Sequence, residues 1–260
     1  MKTALETIVR KAGDIILKRE DFRVEQKEGH ANFVTGVDEA VQHFLVEELQ
    51  SLLPGSVIIG EEQENEPLSD ALTWVIDPLD GTTNFIHNVR FSAISVALLK
   101  HREPVLGMVY QPYTQELFHA EKGKGAFLND QPIHVAHTPI HQALIGFGTS
   151  PYNAELAEKS MTAALYFLQH AADVRRGGSA ALDLAYVAAG RQDVYFELVL
   201  RPWDYAAGAL LVEEAGGCFV MPALEKPDFG QTAGVLAASP ECMKTAEEWL
   251  KPFFGSKTRE

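Results

Sequence analysis

Apolar residues return every three or four positions over residues 4–19, with Leu5, Ile8, Val9, Ala12, Ile15 and Ile16 on one side, which predicts an amphipathic opening helix. The same period over Val37 to Leu53 turns Val41, Phe44, Leu45, Val46 and Leu49 inward and predicts a second helix, stopped by Pro54-Gly55. Ser56–Gly60 and Leu72–Ile76 read as short strands. From Phe91 to Val135, short apolar runs are parted by turn residues such as His101-Arg-Glu-Pro104 and Glu121-Lys-Gly-Lys-Gly125, the pattern of an antiparallel meander. Ala143–Gly148 supplies one more strand. Helices over Ala154–Gln169, Ser179–Ala189 and Tyr205–Ala215 then alternate with strands at Val194–Phe196, Cys218–Met221 and Gly234–Ala238, and a last helix begins after Pro240.

A helix pair, a meander and an alternating stretch together predict an α+β protein of layered sheets and helices, neither a repeat array nor a doubly wound sheet. With 260 residues, 46% of them hydrophobic, the chain is expected to form a single domain over 1–260. It divides into two closely packed halves, approximately 1–145 and 146–260, and the seam near 140–153 carries no flexible linker.

Charge narrows the function. The chain has 22 Lys+Arg against 36 Asp+Glu, a formal net charge of −14. That excess counts against nucleic acid as a partner and against docking on an anionic membrane. The first twenty residues contain no uninterrupted apolar run of the length a signal peptide needs, and nothing approaches the roughly 18 apolar residues of a membrane span. Two cysteines, Cys218 and Cys242, exclude a disulfide framework, and a cytoplasmic location is expected.

The chemistry concentrates in Trp74-Val-Ile-Asp-Pro-Leu-Asp-Gly-Thr-Thr-Asn-Phe85. Trp74–Ile76 reads as a buried strand with Asp77 at its carboxyl end, and Pro78 pins the turn so that Asp77 and Asp80 face one side. Gly81 permits an unusual backbone angle, and Thr82-Thr83-Asn84 offers hydroxyl and amide groups where a helix would begin. Paired carboxylates beside a helix start suit hard cations and a phosphate held together. Gly60-Glu61-Glu62 puts another carboxylate at a strand end. Trp203-Asp204-Tyr-Ala-Ala-Gly208 puts Asp204 just before a helix whose small residues predict tight packing.

WVIDPLDGTTNF, preceded by GEE and followed by WDYAAGALLVEEAGG, strongly resembles the inositol monophosphatase family of metal-dependent phosphatases, and the resemblance spans nearly the whole chain. It implies a layered α/β/α/β/α sandwich, shared with fructose-1,6-bisphosphatase, and a homodimer. It also implies two or three Mg2+ ions held by Glu61, Asp77, the Leu79 carbonyl, Asp80 and Asp204. Glu61, Thr82 and Asp38 are then the catalytic residues, Thr82 positioning the attacking water with Asp38 as its acidic partner. The Gly81 and Thr82 backbone amides would cradle the phosphate, Gly178, Ser179, Ala180 and Glu197 would meet the substrate's alcohol portion, and Asp80 is also counted as substrate-binding.

The activity so implied is hydrolysis of a small phosphorylated alcohol, inositol monophosphate before fructose 1,6-bisphosphate, NADP or histidinol phosphate. A non-catalytic protein keeping the metal and phosphate cradle is the alternative from another class. The loop His87-Asn-Val-Arg-Phe91 departs from the glycine or proline common there in the family, and Lys27 matches a lysine often found upstream of the acidic partner. His134, His137 and His141 are spaced like zinc ligands but lack H-E-x-x-H or cysteine partners and read as a surface loop. Gly123-Lys-Gly125 is too short for a nucleotide loop. Arg175-Arg176 either meets a substrate phosphate or caps a strand.

Overall fold

The computed structural model describes residues 1–19, 23–26, 33–151 and 153–254. Helix α1 (Lys2–Lys18) and helix α2 (Gly36–Leu52) flank strands β1 (Val24–Gln26) and β2 (Phe33–Thr35), which pair antiparallel. Next come β3 (Val57–Gly60), β4 (Thr73–Asp80), α3 (Thr82–Ile86), β5 (Ala93–Lys100), β6 (Glu103–Gln111), β7 (Glu116–Glu121), β8 (Ala126–Leu128) and β9 (Gln131–Ile133). The rest of the chain forms β10 (Leu144–Phe147), α4 (Ala154–His170), β11 (Asp173–Arg175), α5 (Ala180–Ala188), β12 (Val194–Leu200), α6 (Pro202–Glu214), β13 (Cys218–Val220), β14 (Ala233–Ala238) and α7 (Pro240–Leu250).

Two large sheets result. The first runs β3-β4-β5-β6-β7-β8-β9, parallel only between β3 and β4, so the predicted meander is its body. The second runs β11-β10-β12-β14-β13 and mixes parallel and antiparallel pairs. Alternating residues of each sheet feed different cores, as the two-residue period of a strand requires. Trp74, Ile76, Ile94, Val96 and Leu98 pack with α1 and α2. Val75, Ala93, Ala97 and Leu99, on the opposite face, pack with α5, α6 and the inner face of the second sheet. The outer face of that sheet, with Val194, Phe196 and Leu198, is covered by α4 and α7. The layers are therefore α/β/α/β/α, as the resemblance implied.

The middle layer is tight because its residues are small. A Cβ on Gly107 would stand 3.0 Å from the Ala207 carbonyl oxygen, and one on Gly208 would stand 2.6 Å from Leu184. Helix α6 can thus lie directly on β6 and against α5, with Ala206, Ala207 and Gly208 at the contact.

Several boundaries differ from expectation. Strand β4 continues through Pro78 to Asp80 instead of stopping at Ile76, since an irregularity at that point leaves the proline's missing donor without consequence. Helix α6 begins at Pro202, so Asp204 sits inside its first turn and not before it. Strands β1, β2 and β11 are additional elements of three residues each, and the helix start expected at Thr82 is the five-residue α3.

Candidate active site

The carboxyl ends of β3 and β4, the first turns of α5 and α6 and the inner face of β12 surround a cavity of about 750 Å³. Its wall includes Glu61, Asp77, Asp80, Asp183, Glu197 and Asp204. Asp77 and Asp80 reach it together because β4 carries one extra residue against β5: Asp77 pairs with Ser95 and Asp80 with Ala93. Ser95 and Ala93 share a face, so their partners do too, although a regular strand would turn residues three apart to opposite faces. The Leu79 N–H bonds Asp77 Oδ1 at 2.9 Å and fixes the irregularity.

Glu61 follows β3, whose Gly60 pairs with Ile76, so it stands beside Asp77 at the same end of the sheet. The turn is held by Asn65, which exchanges two hydrogen bonds with Gly60, and by Gln42, which accepts from the Glu62 N–H at 2.9 Å. Asp204 accepts from the Arg201 N–H at 2.7 Å across the start of α6, and Ser95 of β5 donates to the Trp203 carbonyl, tying that start to the first sheet.

Asp80 is gripped from the other side of the cavity. The Ser179 hydroxyl and the Ala181 N–H donate to its Oδ2 at 2.6 and 2.7 Å, so the first turn of α5 closes on a carboxylate from β4. Gly178, Ser179 and Ala180 line the cavity, with Ser179 bound to Asp80.

Gly81 has φ +91°, and a Cβ there would stand 3.0 Å from the Phe91 carbonyl and 3.2 Å from the Gly178 carbonyl. Thr82 follows it at the cavity wall. Its hydroxyl hydrogen has two acceptors in reach, Asp38 Oδ1 at 3.0 Å and the Leu79 carbonyl at 3.2 Å. Asp38 does not line the cavity; it is fully buried as the third residue of α2 and closes a capping box with Thr35.

Crowding sets the electrostatics. Burial pushes Asp77 well above the carboxylate range, and the charges of Glu61, Asp80 and Asp204 push further. Burial, then Asp80 and Glu61, act likewise on Asp204. Asp80 is raised to about 6 by burial, although Ser179, Ala181 and the Arg176 guanidinium oppose the rise. Glu197 is raised to about 6 by burial, opposed first by the Tyr195 hydroxyl. Burial also raises Asp38, against the pull of Thr35 and Thr82. Among the described residues no three His, Cys, Asp or Glu side chains converge as a ready-made ion cage. In chemistry the donor set fits hard divalent cations: oxygen ligands only, several of them charged, on an open wall where a phosphate and water can complete the shell. Divalent cations are also what would relieve this like-charge repulsion.

Several cavity residues had no signal in the sequence. Asp183, buried, accepts from Gln192 at 3.0 Å and lies against Gly177, and Tyr195 and Pro151 also line the wall. Asn84 bonds the Phe91 and Gly177 carbonyls at 2.7 and 3.0 Å, bracing the loop before α5. The two arginines part ways. Arg175 pairs with Asp173 on the surface, whereas Arg176 lines the cavity with Nη1 over Gly178. His137 pairs with Glu241, and Lys27 lies outside the described residues. Gly123 and Gly125 donate their N–H groups to Glu214, a structural contact. No described helix is long and apolar enough to cross a membrane.

A family model described as the inositol monophosphatase family matches residues 1–252. An inositol-1-monophosphatase of Bacillus subtilis (strain 168) is 35% identical over 249 residues, 93% of each chain. A protein of Xylella fastidiosa named Nus factor SuhB is 40% identical over 213 residues, 80% of this chain and 77% of that one. The crystal structure of extragenic suppressor protein suhB from Bartonella henselae matches with a TM-score of 0.89 at 32% identity, covering 96% of this chain and 98% of the other. The family match and the Bartonella henselae structure extend over both sheets and all five layers, and the chain belongs to the inositol monophosphatase family of generally metal-dependent phosphatases.

Proposed function

We propose that this phosphatase hydrolyses the phosphate monoester of a small polyol, inositol monophosphate first, with two or three Mg2+ ions at the site. The reading is carried by the meeting of Glu61, Asp77, Asp80 and Asp204 on one cavity wall beside the Thr82–Asp38 hydrogen bond. Glu61, Asp77, the Leu79 carbonyl, Asp80 and Asp204 are the residues that would hold the ions. When bound, such ions neutralise phosphate charge and acidify a bound water.

The remaining work falls to the chain's own groups. Thr82, whose hydroxyl donates a hydrogen bond to Asp38, keeps lone pairs with which to orient a water, and Glu61 is assigned that water's proton. Gly81 and Thr82 offer backbone N–H groups to the phosphate. Gly178, Ser179, Ala180 and Glu197 face the alcohol portion, with Asp80 shared between substrate and ion. Positioning and charge dominate such a transfer to water, so a rigid, carboxylate-rich wall suits it.

The test is phosphate release from inositol 1-phosphate, fructose 1,6-bisphosphate, NADP and histidinol phosphate, with Mg2+ and with EDTA. Mg2+-dependent release with the highest kcat/KM on inositol 1-phosphate is expected, and a higher value on another ester reassigns the substrate. Relatives from Xylella fastidiosa and Escherichia coli (strain K12) are named Nus factor SuhB, which favours as second reading a regulatory protein that binds without turnover. Absence of release from every ester would select it. A cytoplasmic homodimer completes the proposal, and sedimentation velocity tests the dimer.

A further inference from the structure

Glu197 is held on three sides by its own chain. Tyr195, two residues earlier on β12 and therefore on the same face, donates its hydroxyl to Glu197 Oε2 at 2.7 Å. At Oε1 stand the N–H and the hydroxyl of Ser150, at 3.3 and 3.4 Å. Behind the carboxylate, a Cβ on Gly148 would lie 2.0 Å from Glu197 Oε2, so only glycine lets the group rest against the backbone there. Ser150 is fully buried with φ +41°, a left-handed conformation that residues other than glycine rarely hold and that persists where the surroundings over-determine it.

These contacts limit what Glu197 can still do. A carboxylate has about four acceptor positions, and the three donors leave about one for the cavity. That position faces a space that Glu197 lines together with the carboxylates assigned to the ions. Neither Tyr195 nor Ser150 belongs to a motif, and neither contacts those carboxylates by any hydrogen bond among the described residues.

We infer that Tyr195, with the Gly148–Ser150 turn, is a positioning residue that presets Glu197 to accept one hydroxyl hydrogen from the alcohol part of the substrate, selecting polyol esters over esters of plain alcohols. The inference rests on the phosphatase reading above and narrows it. A site built to accept from a hydroxyl discriminates strongly against the analogue lacking it, because a fixed, desolvated acceptor is then left without a partner. A carboxylate free to turn would lose part of that discrimination.

The test compares myo-inositol 1-phosphate with cyclohexyl phosphate, the same ring without hydroxyls. Tyr195→Phe keeps the ring that packs in the middle core and removes only the donor. Its kcat/KM on the inositol ester is expected to fall about tenfold further than on the cyclohexyl ester, with the difference residing in KM. Ser150→Ala, which keeps the N–H, is expected to move the same ratio the same way by a smaller factor, and gives a second route if the first variant folds poorly. Equal losses on both esters mark a merely structural role for Tyr195 and overturn the inference. If the wild-type protein cleaves both esters and the ratio ignores Tyr195→Phe, the inference fails while the phosphatase reading stands. Cleavage of neither ester by wild type with Mg2+ refutes the inositol-ester reading and this inference with it, while release from the other phosphate esters named above decides the phosphatase reading separately.

Discussion

Thr82 gives its hydroxyl hydrogen to Asp38 Oδ1 across 3.0 Å, joining the short helix after β4 to the first turn of α2. The other Asp38 oxygen is already occupied by the Thr35 N–H at 2.9 Å and the Thr35 hydroxyl. Asp38 can therefore neither turn away nor take another donor readily, and the direction of the Thr82 proton is set from within the fold. A hydroxyl oriented this way meets a third group as an acceptor.

Removing the hydroxyl should therefore act on turnover. Thr82→Val, close in shape, is expected to lower kcat by about a hundredfold or more, the scale of losing a group that directs proton transfer. Thr82→Ser should retain most activity. Asp38→Asn should lower kcat too, and also cost about 1–2 kcal/mol in urea denaturation because the capping box is disturbed. A Thr82→Val enzyme with wild-type kcat would remove Thr82 from the mechanism.

Asn84 makes the second prediction. Its side-chain amide donates to the carbonyls of Phe91 and Gly177, so a helix attached to the first sheet holds the loop that leads into α5. Asn84→Asp puts a carboxylate against two carbonyl oxygens in a buried setting. The expected cost is about 3 kcal/mol of stability, from two lost hydrogen bonds and two carbonyls left without a donor. Chemical denaturation checks the loss. A change within about 0.5 kcal/mol, the scale of an ordinary surface substitution, would show that the brace carries nothing.

Much of this architecture was legible because its outer helices are buried on one face with a regular period, whereas α5 and α6 are buried nearly all round. Leu5, Ile8, Val9, Ala12 and Ile16 are all buried on α1, as their spacing predicts. Strands of the meander alternate likewise between two cores. What escaped lacks a local signal. Strand β1 (Val24–Gln26) is exposed throughout and exists through its pairing with β2. Pro78 read as a strand stop, yet it occupies the one irregular position of β4 where no ladder donor is required. At the site, the D-P-L-D-G-T-T run marked Asp77, Asp80 and Thr82, but Asp183 and Tyr195 owe their place to how α5 and β12 meet β4. That meeting is a property of layer packing, and neighbours in sequence do not encode it.

Proton linkage supplies a third prediction. Burial raises Asp80 and Glu197 to about 6, and raises Asp77 and Asp204 well above the usual range, from unfolded values near 4. Between those values these four groups bind more protons in the native protein than in the unfolded chain, so their contribution to stability is fully present below about pH 4 and declines as pH rises through the folded values. In EDTA, Tm is expected to be higher near about pH 5 than near about pH 8. Mg2+ competes with protons for the same carboxylates, so its stabilising effect should be the larger at the higher pH. Thermal melts under the four conditions decide this; a metal-free Tm that climbs from the lower pH to the higher contradicts it.

Asp204 separates a structural role from a chemical one. Its Oδ2 caps the start of α6 through the Arg201 N–H, while the carboxylate also crowds Asp77 and Asp80. Asp204→Asn preserves a carbonyl oxygen for the cap and deletes the charge, so the fold should stand, and in EDTA the variant should be at least as stable as wild type because like charges are relieved. Turnover should fall by at least about a hundredfold, since the charge that would hold an ion is gone. The rise in Tm on adding Mg2+ should shrink in parallel. Asp204→Ala instead loses the cap as well, at a cost of about 1 kcal/mol. If Asp204→Asn kept both its activity and its full response to Mg2+, Asp204 would be a helix cap alone, and the ions would have to be held by Glu61, Asp77 and Asp80.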